Sequence, residues 1–303
     1  MPDLITLTGI GKSFGPVDAL QDITLHVTVG QVHALLGPNG SGKSTLTKLL
    51  SGRLHPTQGT VRVLGLDPRE EMKTLNRRVG ILYENHPLPR WATARDLLRF
   101  AAKAKGLSHP AEEAEKAARA FGVDRFWTRK IGTYSAGMHQ RTSLAQAFLG
   151  DPEVFILDEP TSSLDVEATR IFSGWMLEQQ ERGKTILLTT HTAEALQSVT
   201  HLTVLMSGRI VASGPAAELA HEHHAYSTVL KPERLIETVE ALRTLGIERV
   251  TLNQAQIEVS RSMSELQPAL TKLDNMGMRY EVLGERIDYW ITYGRILQSS
   301  SSQ

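Results

Sequence analysis

The chain has 303 residues, a formal net charge of zero and no cysteine. This length is enough for one large domain with a smaller one, or for two domains of medium size. A net charge of zero argues against nucleic-acid binding driven by bulk charge, and the lack of cysteine excludes disulfides and thiolate metal sites. No apolar run reaches the ~20 residues that span a bilayer, and the N-terminus lacks the pattern of a secretory signal. We therefore expect a folded cytoplasmic protein that meets a membrane only through a partner.

The chain up to about residue 217 alternates strand-like and helix-like patterns. Runs rich in Ile, Val, Leu and Thr predict strands at residues 4–10, 23–29, 31–36, 60–64, 154–157 and 185–190. Helical patterns lie at residues 92–104, 111–121, 138–149 and 166–182. Strands that alternate with helices indicate an α/β fold with a parallel sheet, and the strand-rich start predicts an antiparallel layer attached to it.

The composition changes near residues 218–226, and a second pattern follows. A strand at 226–230 precedes a helix at 232–246 that has Pro232 in its first turn. Two alternating strands, a helix and a final strand come next, and this order predicts a small C-terminal α+β domain of the ferredoxin-like type. The predicted divisions are a first domain at 1–220 with a helical subdomain at about 88–150, an accessory domain at 225–297 and a disordered tail at 298–303.

A glycine-rich segment, "GPNGSGKST", follows the strand-like run "QVHALL" and precedes a helical pattern. Its glycines let backbone amides turn inward around phosphate oxygens, and the N-terminus of the following helix adds positive potential. The Lys43 ammonium can reach the β- and γ-phosphates of a nucleotide, and the Ser44 hydroxyl can hold Mg²⁺. The predicted phosphate-binding loop consists of Gly37, Pro38, Asn39, Gly40, Ser41, Gly42, Lys43, Ser44 and Thr45.

Two acids end the apolar run "VFILDEP". A carboxylate at the end of a buried strand is well placed to meet a metal ion at the edge of a parallel sheet. With a phosphate loop upstream, Asp158 is expected to bind Mg²⁺ through water beside Ser44. Glu159 is expected to orient the water that attacks the phosphate.

A third segment, "TYSAGMHQR", opens a helix with small residues. Ser135 is a reasonable N-cap, and it is followed by Ala136 and Gly137, which leave the first backbone amides of the helix exposed. Such a helix start is a second candidate anion site in a chain that has one phosphate loop.

Together, these motifs resemble those of the ATP-binding subunit of ABC transporters, over residues 4 to about 217. In chain order they are the phosphate loop, "GILYE" at the Q-loop, "YSAGM" at the signature, "FILDEP" at Walker B, "SSLD" at the D-loop and "TTH", which ends at His191. The resemblance implies a P-loop ABC ATPase core with a helical subdomain. It also implies that the chain binds ATP and Mg²⁺ and hydrolyses ATP.

The resemblance further assigns roles to single residues. Phe14 matches the aromatic residue that stacks on adenine, Glu159 the catalytic carboxylate, and His191 the switch histidine that contacts the γ-phosphate. Asp165 matches the residue that communicates across a dimer. The residues that match the signature, which binds ATP held by the opposite subunit, are Ser135, Ala136 and Gly137. Each ATP site is then completed by a second chain, which implies a homodimer with ATP at the interface.

The signature "YSAGM" departs from the commoner "LSGGQ". It is similar to that of exporter ATPases that pair with a separate six-helix membrane subunit. We therefore expect two ATPase subunits with two permease subunits, on the inner face of the cell membrane. One rival is a soluble ABC ATPase that acts on nucleic acid or ribosomes, although a single cassette without a coiled-coil insertion argues against it. A P-loop kinase of small molecules is the other, and the signature and His191 argue against that. No nucleic-acid partner is expected.

Two further stretches allow more than one role. "HEHH" at 221–224 offers imidazoles at a spacing that suits a transition metal, although a solvated linker is the plainer interpretation. A loose resemblance to the ATPase of copper-site maturation keeps a copper-linked role as an alternative to export. In "GILYENHPLPR", Glu84 stands where ABC ATPases usually have a glutamine that joins Mg²⁺ to the membrane-facing loop. A glutamate keeps an oxygen for the metal but loses the amide donor, so Glu84 is assigned to the metal site. Asn85 and His86 are expected to face the permease.

Overall fold

The computed structural model describes residues 2–84, 87–190, 196, 198–223, 226–248, 250–253 and 255–300. The chain divides into two compact units, Met1–Ser213 and Gly214–Gln303. The strands up to this boundary are β1 (Asp3–Phe14), β2 (Val17–Thr28), β3 (Val32–Leu36), β4 (Gln58–Val63), β5 (Val79–Leu82), β6 (Val154–Asp158), β7 (Thr185–Thr189), β8 (His201–Met206) and β9 (Arg209–Pro215). The helices of the first unit are α1 (Lys43–Leu50), α2 (Met72–Arg78), α3 (Ala94–Ala104), α4 (Pro110–Ala120), α5 (Ala136–Ala147) and α6 (Val166–Glu181).

Among the described residues, a three-stranded sheet has the order β2-β1-β4 and pairs antiparallel throughout. In β2, the alternating residues Ile23, Leu25 and Val27 are buried, whereas Thr24 and His26 are exposed. A sheet with one face on the core requires this alternation. The predicted antiparallel layer is confirmed.

The second sheet of this unit carries the predicted α/β core. Its described strands have the order β5-β6-β7-β3-β8-β9, and each adjacent pair from β5 to β8 is parallel. Every residue of β3, β6 and β7 is buried, as continuous apolar runs covered on both faces require. The α/β class predicted from the sequence is confirmed. Parallel pairing also brings the carboxyl ends of β3, β5, β6 and β7 to one edge of the sheet.

Helices α3, α4 and α5 lie within the span predicted as a helical subdomain. Thr93 accepts a hydrogen bond from the Asp96 amide at 3.1 Å and caps α3, which begins two residues after the predicted start. Pro110 occupies the first turn of α4, where no amide hydrogen is needed. The alanine-rich α4 buries Ala114, Ala117 and Ala118 and exposes Glu112, Lys116 and Arg119.

The second unit contains α7 (Ala216–Glu222), β10 (Tyr226–Pro232), α8 (Leu235–Thr244), β11 (Val250–Asn253), β12 (Gln256–Val259), α9 (Met263–Asn275), β13 (Tyr280–Ile287) and α10 (Tyr289–Ser300). Its described strands form an antiparallel sheet of order β11-β12-β10-β13. Strand β10, the first strand of the pattern, therefore lies between β12 and β13, the third and the fourth. A split βαβ arrangement requires this order. Leu230, Leu242, Ile257 and Leu270 belong to the core of this unit.

Two sequence predictions for this unit need correction. Pro232 lies at the end of β10, opposite Tyr280 of β13, and the helix begins only at Leu235. A proline is tolerated at a strand end because its missing amide hydrogen breaks no ladder there. The predicted disordered tail starts inside α10, which continues to Ser300. The Ser299 hydroxyl donates to the Ile296 carbonyl at 2.9 Å, so this serine bonds within the helix.

A buried histidine in β3 predicts acid sensitivity of the first unit. His33 is 2% exposed, its Nε2 lies 2.7 Å from the Thr203 hydroxyl, and its Nδ1 has no partner among the described residues. Burial, with a smaller effect of the nearby His201, lowers the pKa of His33 from 6.5 to about 3. Between pH 6.5 and about 3 the unfolded chain binds a proton at this residue and the folded chain does not. The free energy of unfolding therefore falls as the pH is lowered through this range. The contribution of His33 to the slope of the free energy of unfolding against pH approaches about 1.4 kcal/mol per pH unit.

We expect His33→Gln to remove this contribution. Urea unfolding of wild type and variant at several pH values from 4.5 to 6.5 measures the slopes, which do not depend on the absolute stability of the variant. The wild-type slope should be the steeper by about 1 kcal/mol per pH unit. Equal slopes would contradict the proposed burial of a neutral imidazole.

Candidate functional site

Several of the predicted site residues follow strands that end at one edge of the parallel sheet. The phosphate loop follows β3, Asp158 ends β6, and Thr190 follows β7. Glu84 lies in the turn two residues after β5. Open parallel sheets bind ligands at this edge, because the loops that leave neighbouring strands diverge there and form a crevice.

The phosphate loop is shaped by its glycines and closed by Lys43. Gly40 has φ +80°, and a Cβ there would meet nothing within 4 Å, so its backbone lies open. Gly42 has φ +111°, and a Cβ there would lie 2.6 Å from Leu20 Cδ2, which only glycine avoids. The Lys43 Nζ donates to the carbonyls of Gly37 at 2.7 Å and Pro38 at 3.2 Å. The ammonium group therefore lies inside the loop, where phosphate oxygens would be recognised.

The loop also holds a buried hydroxyl without a partner. Ser41 Oγ is buried and makes no hydrogen bond to any described residue. Helix α1 starts at Lys43 directly after Gly42, so its first amides point toward the loop. A cradle of open glycine backbone, a helix N-terminus, an ammonium group and an unpaired hydroxyl fits a nucleotide phosphate chain.

Two threonines hold the carboxylate of Asp158. This side chain is buried, with the Thr47 hydroxyl 3.0 Å from Oδ2 and the Thr189 hydroxyl 2.7 Å from Oδ1. The Thr47 hydroxyl also lies 3.1 Å from the carbonyl of Ser44, one turn earlier in α1. A carboxylate has about four acceptor positions, so two hydroxyls leave others for a metal-bound water. Oxygen donors from a hydroxyl and a carboxylate suit Mg²⁺, and Ser44 and Asp158 would hold it.

Glu159 has an unusual backbone conformation. Its φ is +51°, in the left-handed region, which costs an L-residue about 1–2 kcal/mol. The Glu159 amide donates to the Thr189 hydroxyl at 2.9 Å. From α5, the Gln140 side-chain amide donates to the carbonyls of Glu159 at 3.2 Å and Pro160 at 2.8 Å. Side chains from two elements thus hold the strained backbone on both sides.

The signature segment starts α5 as predicted. The Ser135 hydroxyl accepts a hydrogen bond from the Met138 amide at 3.3 Å and caps the helix. Ser135 and Ala136 are exposed, so the start of the helix faces outward. Gly137 packs against the D-loop, since a Cβ there would lie 3.1 Å from the Ser163 carbonyl oxygen.

Asp165 joins the D-loop to the signature helix. Its carboxylate accepts from the Ala168 amide at 2.8 Å, which caps α6. The Arg141 guanidinium of α5 lies 3.2 and 3.1 Å from the two carboxylate oxygens. The hydrogen bond from Ala168, together with the charge of Arg141, lowers the pKa of the Asp165 carboxyl. The signature and the D-loop therefore form one connected surface.

Comparison with known proteins decides the family. The profile described as "ABC transporter" matches residues 20–162. The ABC transporter ATP-binding protein NatA of Bacillus subtilis (strain 168) is 30% identical over 71% of this chain and 91% of its own length. This chain belongs to the ABC transporter ATP-binding family. It is an ABC ATPase, and its cassette binds and hydrolyses ATP.

Other relatives and solved structures agree with this assignment. The ABC ATPase is 34% identical to the Nod factor export ATP-binding protein I of Paraburkholderia xenovorans (strain LB400), over 73% of this chain and 75% of that protein. The daunorubicin resistance ATP-binding protein DrrA3 of Streptomyces coeruleorubidus is 34% identical over 72% of this chain and 70% of its own length. A solved structure of an ATP-binding subunit of an ABC transporter has a TM-score of 0.67 at 30% identity, covering 72% of this chain and 92% of that one. A dimeric cassette with ADP and Pi has a TM-score of 0.65 at 23% identity and supports the fold alone.

Two of the remaining predicted residues, Phe14 and Glu84, lie within the described part of the chain. Phe14 ends β1, is 47% exposed, and has the Lys12 ammonium 5.0 Å from its ring centroid. Glu84 is exposed. His191, Asn85, His86 and His224 lie outside the described residues. Within the described part of the chain, no group of three His, Cys, Asp or Glu side chains has the arrangement of a metal site, so "HEHH" keeps the status of a sequence prediction.

Sequence reasoning missed four residues that the structure brings to the site. Two of them, Gln140 and Arg141, end the quoted motif "TYSAGMHQR". Their partners belong to the later segment 159–165, which the motif itself does not indicate. The others are Thr47 and Thr189, which the pattern of a buried helix and a buried strand does not distinguish from packing residues. A hydroxyl at a fully buried position near a carboxylate is the signal that points to them.

Proposed function

We propose that this ABC ATPase works as a homodimer that holds ATP between its phosphate loops and signature helices and drives a separate membrane permease. The exposed surface made by the signature and the D-loop carries the proposal. Ser135 and Ala136 are exposed there, and Val166, directly after Asp165, is 89% exposed. The sequence contains one phosphate loop, so this second anion-binding surface has its natural ligand on another copy of the chain.

The proposed chemistry is positioning and charge neutralisation. Lys43 and the loop amides bind the phosphate chain, Phe14 stacks on the adenine, and Glu159 accepts a proton from the attacking water. Ser44, Asp158 and Glu84 would hold Mg²⁺, which would neutralise charge on the phosphate oxygens. His191 and the partner's signature residues contact the γ-phosphate in this proposal. Loss of that phosphate removes their shared ligand and lets the dimer open.

Export is the transport direction that the relatives favour. Two of the compared relatives carry Nod factor export and daunorubicin resistance in their names. We extend this direction to the ABC ATPase and expect a cytoplasmic subunit bound to the inner face of the membrane through its permease. No described helix of the chain is long and apolar enough to cross a membrane.

Trp91 tests the permease contact. It directly follows the stretch "GILYENHPLPR" and is 81% exposed, and tryptophan is a residue type enriched at protein interfaces. We expect Trp91→Ala to reduce co-purification with an integral membrane protein from the native host at least several-fold, while the ATPase rate of the isolated subunit stays unchanged. Leu177→Ala, at an apolar residue of α6 that is 49% exposed, is the matched control. Equal capture of wild type and Trp91→Ala would contradict the assigned contact.

The rival nucleic-acid function has its own test. RNA and DNA are added to the purified subunit at moderate salt, and the steady-state ATPase rate is measured. The transport proposal predicts no stimulation. Stimulation by either polymer would favour the rival.

A further inference from the structure

The Thr189 hydroxyl connects the two acids of the site through a single oxygen atom. It donates to Asp158 Oδ1 at 2.7 Å and accepts from the Glu159 amide at 2.9 Å. A hydroxyl has one hydrogen to donate, so its donor capacity is used by the carboxylate. The residue is fully buried in β7, and a β-branched side chain has few rotamers open to it. The position of this oxygen is therefore set by the sheet itself.

The contact to Glu159 matters because the backbone there is strained. A left-handed φ at a glutamate persists only where the surroundings hold it. The Thr189 hydroxyl accepts a hydrogen bond from the Glu159 amide, and the Gln140 side chain donates one to the Glu159 carbonyl. Without the first contact, the peptide unit between Asp158 and Glu159 loses the fixed acceptor for its hydrogen, and the Glu159 side chain loses its direction.

The contact to Asp158 has a counterpart that allows the two roles to be separated. Thr47 bonds the other carboxylate oxygen from α1, at 3.0 Å, and no contact joins it to Glu159 among the hydrogen bonds of the described residues. Thr47 thus bears on the carboxylate and on the Ser44 carbonyl of its own helix, whereas Thr189 bears on the carboxylate and on the Glu159 backbone.

We propose that Thr189 is a positioning residue that fixes the Asp158 carboxylate and the Glu159 backbone relative to each other, so that the metal-binding acid and the acid that activates water act in one geometry. The proposal rests on the proposed roles of these two acids. Thr47 shares only the first part of this function. Residues that orient metal-binding groups typically change metal affinity or activity about 10–100-fold when they are lost.

The experiment compares Thr189→Val, Thr189→Ser and Thr47→Val. Valine keeps the shape of threonine and removes the hydroxyl, whereas serine keeps the hydroxyl. For each purified full-length variant we would measure kcat, the KM for ATP and the Mg²⁺ concentration that gives half-maximal activity. We expect Thr189→Val to lower kcat about 10–100-fold with little change in KM, and to raise the Mg²⁺ requirement. Thr189→Ser should recover most of kcat. Thr47→Val should raise the Mg²⁺ requirement with a smaller loss of kcat.

Three outcomes overturn the proposal. One is a kcat of Thr189→Val within twofold of wild type at an unchanged Mg²⁺ requirement. Another is a serine variant as defective as the valine variant. The third is a Thr47→Val variant whose kcat falls as far as that of Thr189→Val. If Thr189→Val does not fold, Thr189→Ala takes its place, with thermal unfolding as the check. Glu159→Gln keeps the two proposals apart, because normal hydrolysis in that variant removes the role of Glu159 itself.

Discussion

Replacement of Glu159 by Gln should stop most ATP hydrolysis and leave ATP binding intact. Glutamine has the shape of glutamate but does not take a proton from water at neutral pH. A positioned general base contributes roughly 10²–10⁴ in rate, and we expect kcat to fall by that factor. Steady-state phosphate release measures the loss, and titration with ATP measures the affinity, which should stay within about threefold.

The two backbone contacts of Glu159 should survive the substitution. The amide and carbonyl of this residue are held by Thr189 and Gln140, and neither contact involves the carboxylate. Glu181→Gln, at the exposed end of α6, makes the same chemical change away from the site and should leave kcat unchanged. Near-normal turnover in Glu159→Gln would show that another group activates the water.

Lys43→Ala should weaken ATP binding at least 10-fold. The Lys43 Nζ lies within the phosphate loop, where it donates to the Gly37 and Pro38 carbonyls. A hydrogen bond to a charged group contributes about 1.5–3 kcal/mol, which corresponds to roughly 10–100-fold in Kd. Titration of a fluorescent ATP analogue measures the affinity.

Lys48 offers a matched control for this substitution. It lies on the same helix, α1, is exposed, and stands in the last turn, away from the loop. Lys48→Ala should bind the analogue as wild type does. An unchanged affinity of Lys43→Ala, in a variant that unfolds at the wild-type temperature, would contradict the assignment of the phosphate site.

Much of the fold follows from local patterns in the sequence. Strands β3, β6 and β7 are mostly apolar or threonine-rich runs, and such runs are typical of a parallel sheet covered on both faces. The phosphate loop is local as well, since its glycines, Lys43 and the start of α1 are consecutive. The predicted order of elements after residue 226 agrees with the β11-β12-β10-β13 sheet. Patterns of this kind are encoded within a few residues and can be found without knowing the tertiary structure.

Contacts between distant residues are what the sequence does not reveal. Thr47 and Asp158 are 111 positions apart, and Asp158 and Thr189 are 31 apart. Only the parallel pairing of β6 with β7 and the packing of α1 beside them bring these side chains together. The strain at Glu159 is likewise absent from composition, because it is imposed by partners from other elements. The errors at Pro232 and at residues 298–300 have the opposite cause, since proline and serine preferences were outweighed by strand pairing and by helix continuation.

In the proposed mechanism, ATP joins two copies of the chain through the signature surface. Ala136 is exposed at the first position of α5, where an acidic side chain suits the helix dipole and should leave folding intact. In an ATP-bound dimer, however, Ala136→Glu would place a negative charge against the γ-phosphate. This variant therefore separates dimer formation from ATP binding at the phosphate loop.

The most direct test is the solution mass of Glu159→Gln with and without MgATP, measured by sedimentation. The structure and its proposed mechanism predict a monomer without nucleotide and a dimer with two bound ATP, and a monomer with bound ATP when Ala136→Glu is added. A Glu159→Gln protein that binds MgATP tightly and stays monomeric would contradict the shared ATP sites.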